Sequence, residues 1–457
     1  MNRISTLLVI SLITLTSYAQ KGFDRDAYMN TIVNNTKLVV TKEKIRSIID
    51  TIKKVHPYSF DSIGNLPLNT FIENLELPKD SLNYLEFSRY LSSIFEPLSY
   101  EDSHFSISPR LYQRLKITNE KGETESIETN KIKIKEMPIP PFVGINIHDT
   151  VIVKKSYCDE IKRGDIIKSI NNIPIESLIS SDLIQRHVDP ERLTLLNDFL
   201  CYNQYNITLH RNNKDIEVKV DAIPLKKNRS GYRYFSGEYM KEDGIGYCKI
   251  RTFTNNKYIF KDLNRFCKKV KKNGGDKIII DLRGNPGGSG DYIDSFLSIF
   301  CDKDSIYGLK SAYVRASKFT SEYNFKPEQI TQNIPLEGEN CRHTFPLKKK
   351  LFLDLDLYVF IDKDTHSSAA SFANLVQYNN IGTIVGEKSV HNVLKYGEIV
   401  PILLSKSMFI LSTVKYSEYT KSNDGYLYPD IPLAPDATAY IKSQDPVLDA
   451  FVKQLQN

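Results

Sequence analysis

Lys277-Ile-Ile-Ile-Asp-Leu-Arg-Gly-Asn-Pro-Gly-Gly-Ser-Gly290 is a strand that runs into a glycine-rich loop. Three consecutive isoleucines with no polar alternation predict a strand buried on both faces. Gly284, Pro286, Gly287, Gly288 and Gly290 then predict a tight loop almost free of side chains. Ile293, Phe296, Leu297 and Phe300 follow at helical spacing. A strand that ends in glycines ahead of a helix gathers bare N–H groups in one place. Such a loop can hold an anion, or an oxyanion that forms only during a reaction. It can equally be a packing turn. It lacks both Gly-x-Gly-x-x-Gly and Gly-Lys-Ser/Thr, which argues against nucleotide binding.

Working outward, residues 225–457 alternate strand and helix patterns, which predicts an α/β core with an opening strand at 246–251 and a helix at 262–271. A second strand–loop–helix unit reads Leu357-Tyr-Val-Phe-Ile361, then Asp362-Lys-Asp-Thr-His-Ser-Ser368, then a helix with Ala369, Phe372, Ala373 and Val376 on one face. Two serines at a helix start have two readings. They cap the helix, or one is a nucleophile favoured by the positive end of the helix dipole.

Upstream, Ile45, Ile48, Ile49, Ile52 and Val55, then Phe87, Leu91, Ile94, Phe95 and Leu98, form apolar stripes that predict a helical domain over 20–110. Residues 111–137 are charged and aperiodic and read as a linker or excursion. Residues 138–224 read as a β-rich domain, with strands at 143–147, 150–153, 165–170, 205–211 and 215–223, a hairpin turn at Arg211-Asn-Asn-Lys214 and one helix at 191–199. Residues 1–19 carry a positive start, a short apolar run from Leu7 to Leu15 and a Ser17-Tyr-Ala19 cleavage signal. They read as a secretory signal peptide, so the protein is expected to be exported to the periplasm or beyond, with no membrane-spanning segment.

The chain has 457 residues, a formal charge of +6, 41% hydrophobic and 25% charged residues. These values fit a globular protein of about three domains. No block of Lys and Arg is interleaved with aromatics, so no nucleic-acid partner is expected. Cys158, Cys201, Cys248, Cys267, Cys301 and Cys341 form no Cys-x-x-Cys pair, so no metal or cofactor is expected from them. Cys248 reads as simply buried.

Taken together, Asp281-Leu-Arg-x-Asn-x-Gly-Gly288, Thr365-x-Ser-x-Ala-x-x-Phe-Ala373, Ile384-Val-Gly-Glu387 and Asp424-Gly-Tyr-Leu-Tyr-Pro-Asp-Ile431 resemble the tail-specific (C-terminal processing) serine protease family. Lys162-Arg-Gly-Asp-Ile-Ile-Lys-Ser-Ile-Asn-Asn-Ile-Pro-Ile175 resembles a segment of PDZ domains, which capture extended peptides. The resemblance implies a ClpP/crotonase-like α/β core behind a helical domain and a PDZ-like domain, and a peptide or protein substrate that its C-terminus can anchor. It places the nucleophile on Ser367, with Ser368 as the rival. It places oxyanion donors at Gly287 and Gly288 and at Ser368.

One branch of the family uses a lysine base where this chain has Asn392, and Lys388 lies four residues earlier. The tricorn-core-like branch uses a Ser-His pair ahead of the core. Leu98-Ser-Tyr-Glu-Asp-Ser-His-Phe105 fits that pattern, which makes His104 the candidate base and Ser103 its candidate orienter. His366 neighbours Ser367 and is expected to point elsewhere, and His391 is a weaker base candidate. The chain departs from the family at Ala370, where a Glu is common. Ser422, Asp424 and Glu418 are the candidate orienting groups near the closing motif. Two functions remain: an exported serine endopeptidase working through an acyl-enzyme, or a degenerate relative that binds peptides.

Overall fold

The structure is a computed structural model and describes residues 37–58, 60–63, 65–108, 116–118, 124–126, 138–147, 150–176, 202–224, 233–338, 341–389, 391–393, 396–405, 407–434, 437–443 and 445–456. The leader at 1–19, the helix expected at 191–199 and Cys201 lie outside them.

The first described part holds helices α1 (Lys42–Lys53), α2 (Leu68–Glu73), α3 (Tyr84–Ile94) and α4 (Glu96–Glu101). Thr41 caps α1 through its side chain, and Asn83 with Glu86 forms a capping box on α3. The isoleucine stripe of α1 is buried, as are Phe87, Leu91, Phe95 and Leu98. These residues do not form a closed core of their own. They share one with Ile402, Leu404, Phe409 and Leu411 of a sheet described below.

Strand β1 (Ser106–Ser108) follows. Short strands β2 (Lys116–Thr118) and β3 (Thr124–Ser126) fall inside the stretch expected to be a linker. They pair with each other, and β2 docks on the same sheet as β1. Their polar sequence, Lys-Ile-Thr and Thr-Glu-Ser, suits a sheet edge and gives no periodic signal.

The β-rich module contains β4 (Phe142–Ile147), β5 (Thr150–Ser156), β6 (Ile166–Ile170), β7 (Gln204–Arg211) and β8 (Lys214–Asp221). They lie antiparallel in the order β8-β7-β6-β5-β4, with Ile173–Pro174 folding back on β6. Asn212 and Asn213 both take positive φ (+50° and +60°), the two-residue hairpin turn that keeps the strand twist. Asp165 stands before the motif's strand, and Arg211 Nε and Nη2 grip its carboxylate at 2.6 Å each.

Most of the remaining described chain forms two sheets, beside a small ribbon that pairs Ser305–Tyr307 with Thr344–Pro346. The first contains β9 (Phe235–Met240), β10 (Ile245–Ile250), β11 (Lys277–Asp281), β14 (Asp356–Ile361), β15 (Gly382–Gly386) and β18 (Ile431–Pro432), in the order β9-β10-β11-β14-β15-β18. All neighbours run parallel except β9 against β10. Ile278, Ile279 and Ile280 are each fully buried, which is what an unalternated run in a covered parallel strand requires. Helix α5 spans Asn256–Lys272, six residues longer at its start than expected, because Ile259 and Leu263 continue the stripe of Phe266, Cys267 and Val270. Helix α6 (Ile293–Leu297) and helix α7 (Ser368–Tyr378) follow β11 and β14. Cys248 is fully buried.

The second sheet has seven strands. It takes β12 (Leu309–Arg315), β13 (Asn333–Pro335), β16 (Tyr396–Leu404) and β17 (Ser407–Glu418) and orders them β13-β12-β17-β16-β2-β3, with β1 on β17. The pairs Ser106↔Ile410, Ile107↔Phe409 and Ser108↔Met408 tie the residues just after His104 to the core. Ser88 and Ser407, 319 residues apart, share a buried hydrogen bond of 2.9 Å. Helices α8 (Ala437–Lys442) and α9 (Pro446–Gln456) end the described chain, with Phe451 buried against Ile279 and Phe360. None of the described helices is long and apolar enough to cross a membrane.

Candidate active site

Parallel β11 and β14 are neighbours, so both of their following loops emerge at the same sheet edge, where ligands of such sheets bind. The loops are stitched together. The Thr365 hydroxyl donates to the Leu282 carbonyl at 3.1 Å, and the Gly284 N–H donates to the Asp362 carboxylate at 3.0 Å. The His366 N–H donates to the Asn285 carbonyl at 2.9 Å, and the Ser368 hydroxyl donates to the Gly288 carbonyl at 2.7 Å. At the loop's start Arg283 grips Asp281 at 2.8 and 2.9 Å and Asp445 at 2.5 and 2.9 Å. Burial would raise the Asp281 carboxyl, but the Arg283 and Lys249 charges hold it well below the usual carboxylate range.

Ser367 sits at the N-cap position of α7, but its side chain caps nothing. Its backbone takes φ +53° and ψ −131°, a conformation a non-glycine residue adopts at a cost of about 1–3 kcal/mol. Its hydroxyl makes no hydrogen bond among the described residues, and the side chain is half-buried. The Ser368 hydroxyl commits its proton to the Gly288 carbonyl. The two serines therefore separate: Ser368 fastens the loops and Ser367 stands unengaged at a strained turn.

Two N–H groups beside Ser367 have no acceptor among the described residues, those of Gly288 and Ser368. The Gly287 N–H is different. It donates to Asn285 Oδ1 at 2.9 Å, so it is unavailable as an oxyanion donor. Gly287 is needed for proximity instead. A Cβ there would lie 2.6 Å from Ser367 Cβ and 2.9 Å from Ser368 N. A Cβ on Gly288 would lie 2.5 Å from the Phe253 backbone.

The 98–105 segment reaches this edge through the β1–β17 pairing. Asp102 is fully buried. Its Oδ2 accepts from His56 Nε2 at 2.9 Å, while His56 Nδ1 accepts the Tyr58 N–H at 3.1 Å, which fixes the His56 proton on Nε2. Asp102 Oδ1 accepts the His104 N–H at 2.9 Å and lies 3.6 Å from His104 Nδ1, a neighbouring charge beyond hydrogen-bond length. Burial would raise this carboxyl; the His104 and His56 contacts outweigh it and keep Asp102 ionised well below the usual range. Asp102 is thus the carboxylate beside the candidate base. It lies inside the Asp-Ser-His segment, where the motif draws attention to the Ser and the His.

Ser103 does not orient His104. Its hydroxyl lies 3.0 Å from His391 Nδ1 and 3.0 Å from His366 Nε2. His366, expected to point elsewhere, faces the His104 ring with centroids 4.6 Å apart, and His391 stands 5.3 Å from His104 and 4.7 Å from His366. Burial and the His104 charge push the His391 imidazole down to about 3, so it is neutral at ordinary pH.

The other candidates are engaged elsewhere. Lys388 Nζ lies 3.9 Å over the Tyr426 ring and 4.9 Å over Tyr428. Asn392 Nδ2 donates to the Asp424 carbonyl at 2.7 Å. The Asp424 carboxylate accepts from the Tyr428 hydroxyl at 2.8 Å and the Tyr426 N–H at 3.1 Å, and the Ser422 N–H donates to the Thr420 hydroxyl at 3.3 Å. Glu418 is buried at the end of β17, where Asn374 Nδ2 donates to it at 2.9 Å. Burial pushes its carboxyl up to about 7 against hydrogen bonds from Ser371 and Asn374. Lys388, Ser422, Asp424 and Glu418 make no hydrogen bond, ion pair or ring contact with His104 among the described residues.

Fold and site together describe an α/β protease fold. Residues 244–431 match the family model "Peptidase family S41". Among curated proteins it is similar to a probable CtpA-like serine protease of Staphylococcus aureus strain RF122, 32% identical over 281 residues that cover 61% of this chain and 46% of the relative. A namesake from Staphylococcus haemolyticus is 34% identical over 98 residues, 21% of this chain and 18% of the relative. The chain thus spans less than half the length of these relatives. Among solved structures, mature CPAF shares the fold with a TM-score of 0.59 at 12% identity, covering 91% of this chain and 96% of that one. The CPAF complex with lactacystin gives 0.57 over 91% and 97%.

Proposed function

We propose that the protein is an exported serine endopeptidase. Ser367 attacks the scissile carbonyl as His104 takes its proton, and Asp102 stabilises the imidazolium that forms. The N–H groups of Gly288 and Ser368 receive the oxyanion. The intermediate collapses as His104 returns the proton to the leaving amine, which leaves an acyl-Ser367. Water then attacks with His104 again as base, and the acid is released. The observation that carries this reading is Ser367 itself: a strained serine without a capping bond, flanked by two unspent N–H groups. Export rests on residues 1–19. A histidine base, as in the tricorn-core-like branch, is supported by the engagement of Asn392 and Lys388 elsewhere. The β-rich module serves as a PDZ-like site for the substrate's extended end, supported by the Gly164-Asp165 motif.

The alternative, a peptide-binding relative without activity, is supported by one feature: no hydrogen bond joins Ser367 to His104. Catalytic hydrogen bonds are often long before substrate binds, so the peptidase reading is preferred. A peptidyl phosphonate should form a mass adduct on Ser367 and block peptide hydrolysis, and His104→Ala should abolish both. Tight peptide binding with no adduct would establish the alternative.

A further inference from the structure

We propose that His104, His366 and His391 together bind a divalent transition metal, zinc first among them, and that the bound metal shuts the peptidase off. The second half rests on the peptidase reading above; the first does not. One nitrogen from each of the three rings lies within 4.8 Å of the other two, and all three residues are buried. Around a tetrahedral zinc with Zn–N near 2.0–2.1 Å, ligand nitrogens stand about 3.4 Å apart, so the rings need close by only about 1.4 Å at most.

Two of the rings are already held from one side, as metal-bound imidazoles are. Ser103 Oγ holds His366 Nε2 at 3.0 Å, and the Asp102 carboxylate stands 3.6 Å from His104 Nδ1, beyond hydrogen-bond length. His391 Nδ1 is held by Ser103 at 3.0 Å, while its Nε2 is buried without any partner. A buried imidazole nitrogen with nothing to bond is costly, and a metal ion is a partner that would satisfy it. Asp102 supplies negative charge next to the incoming cation. The donor set is imidazole only, which suits zinc, copper, nickel or iron and not calcium or magnesium. Three protein ligands leave a fourth position for water. The sequence shows no metal spacing because the three histidines come from three distant segments.

The consequence for chemistry is direct. A metal on His104 occupies the lone pair that would take the Ser367 proton. No bond is made or broken in the protein, and removing the metal restores the base.

The test uses the untagged full chain after chelation, titrated with Co²⁺ and followed by its visible absorption, and with Zn²⁺ by calorimetry. One ion per chain is expected. Outer-shell changes alone weaken metal sites about 10–100-fold, so loss of a ligand in His366→Ala or His391→Ala should weaken binding by at least about 100-fold. His391→Gln, which keeps the ring's volume, should do the same while the circular dichroism stays native. His343→Ala, on the surface, should bind as the wild type does. Zn²⁺ should inhibit peptide hydrolysis, and chelator should restore it. Binding that survives the cluster variants, or is lost in His343→Ala, overturns the site. Hydrolysis that requires metal and survives Ser367→Ala overturns the inhibitory role. An active protein that binds no Co²⁺ refutes the metal site alone, whereas Co²⁺ binding by a protein that, freed of metal, takes no phosphonate label refutes the peptidase reading alone.

Discussion

Gly287→Ala should disable the site while leaving the fold in place. The new methyl would stand 2.6 Å from Ser367 Cβ, 2.8 Å from the His366 carbonyl oxygen and 2.9 Å from Ser368 N. Ordinary contact requires Ser367 to retreat by about 1 Å. A misplacement of that size costs on the order of 100-fold in rate, about 2.7 kcal/mol of transition-state stabilisation. Position 287 also has φ +89°, which an alanine adopts at a cost of about 1–2 kcal/mol in stability. Two assays separate the effects: urea unfolding for the backbone cost, and the second-order rate of phosphonate labelling for the site. The Gly287 N–H is spent on Asn285, so the loss comes from displacement of Ser367 and not from a lost oxyanion donor. A folded variant that labels within about threefold of wild type would refute this account of the close approach.

Three further outcomes follow from the same geometry. Asp102→Asn sets an amide against donors on His56 and on the His104 backbone, so it should lower stability by about 1–3 kcal/mol and cut peptide hydrolysis, read by melting and by kcat. Ser368→Ala keeps its N–H and loses only the bond to Gly288, so it should cost about 1 kcal/mol and less than tenfold in labelling, whereas Ser367→Ala abolishes labelling. Glu418 has a folded pKa raised from 4.5 to about 7, so its contribution is fully present below pH 4.5 and is lost as pH rises through 7. Denaturant unfolding of the wild type should therefore lose up to about 3 kcal/mol from this group by pH 8, and Glu418→Gln should flatten that slope.

The sequence carried the parts of the site that are local. Ile278–Ile280 read as a doubly buried strand because density of β-branching is a local property, and the two strand–loop–helix units followed from it. The choice between Ser367 and Ser368 was not local, because it turns on which hydroxyl the Gly288 carbonyl engages across 80 residues. The loss of Gly287 as a donor was readable in principle, since Asn285-Pro-Gly is an Asx-turn signature whose side chain takes the N–H two residues on. Asp102 repeats that pattern on the His104 N–H. His56 gave no signal, because it comes from the turn after α1 and meets Asp102 only through tertiary packing. The convergence of His366 and His391 on His104 depends on the register of β1 against β17, which no periodicity in either strand specifies. The strands at 116–118 and 124–126 were hidden because three residues apiece are too few to show a period.

The pairing of β1 with β17 also sets a timetable. The helices that end in His104 complete their core only on residues 402–411, and Ser88 waits for Ser407 across 319 residues of chain. Contacts this remote close late in folding, since the long loop between them must be gathered first. A growing chain on the ribosome therefore holds its histidines long before it holds the surface that aims them, and a fragment stopped short of residue 408 has the histidines without that surface. On the peptidase reading proposed above, hydrolytic competence then waits for this strand pair, which keeps the half-made molecule harmless to its neighbours.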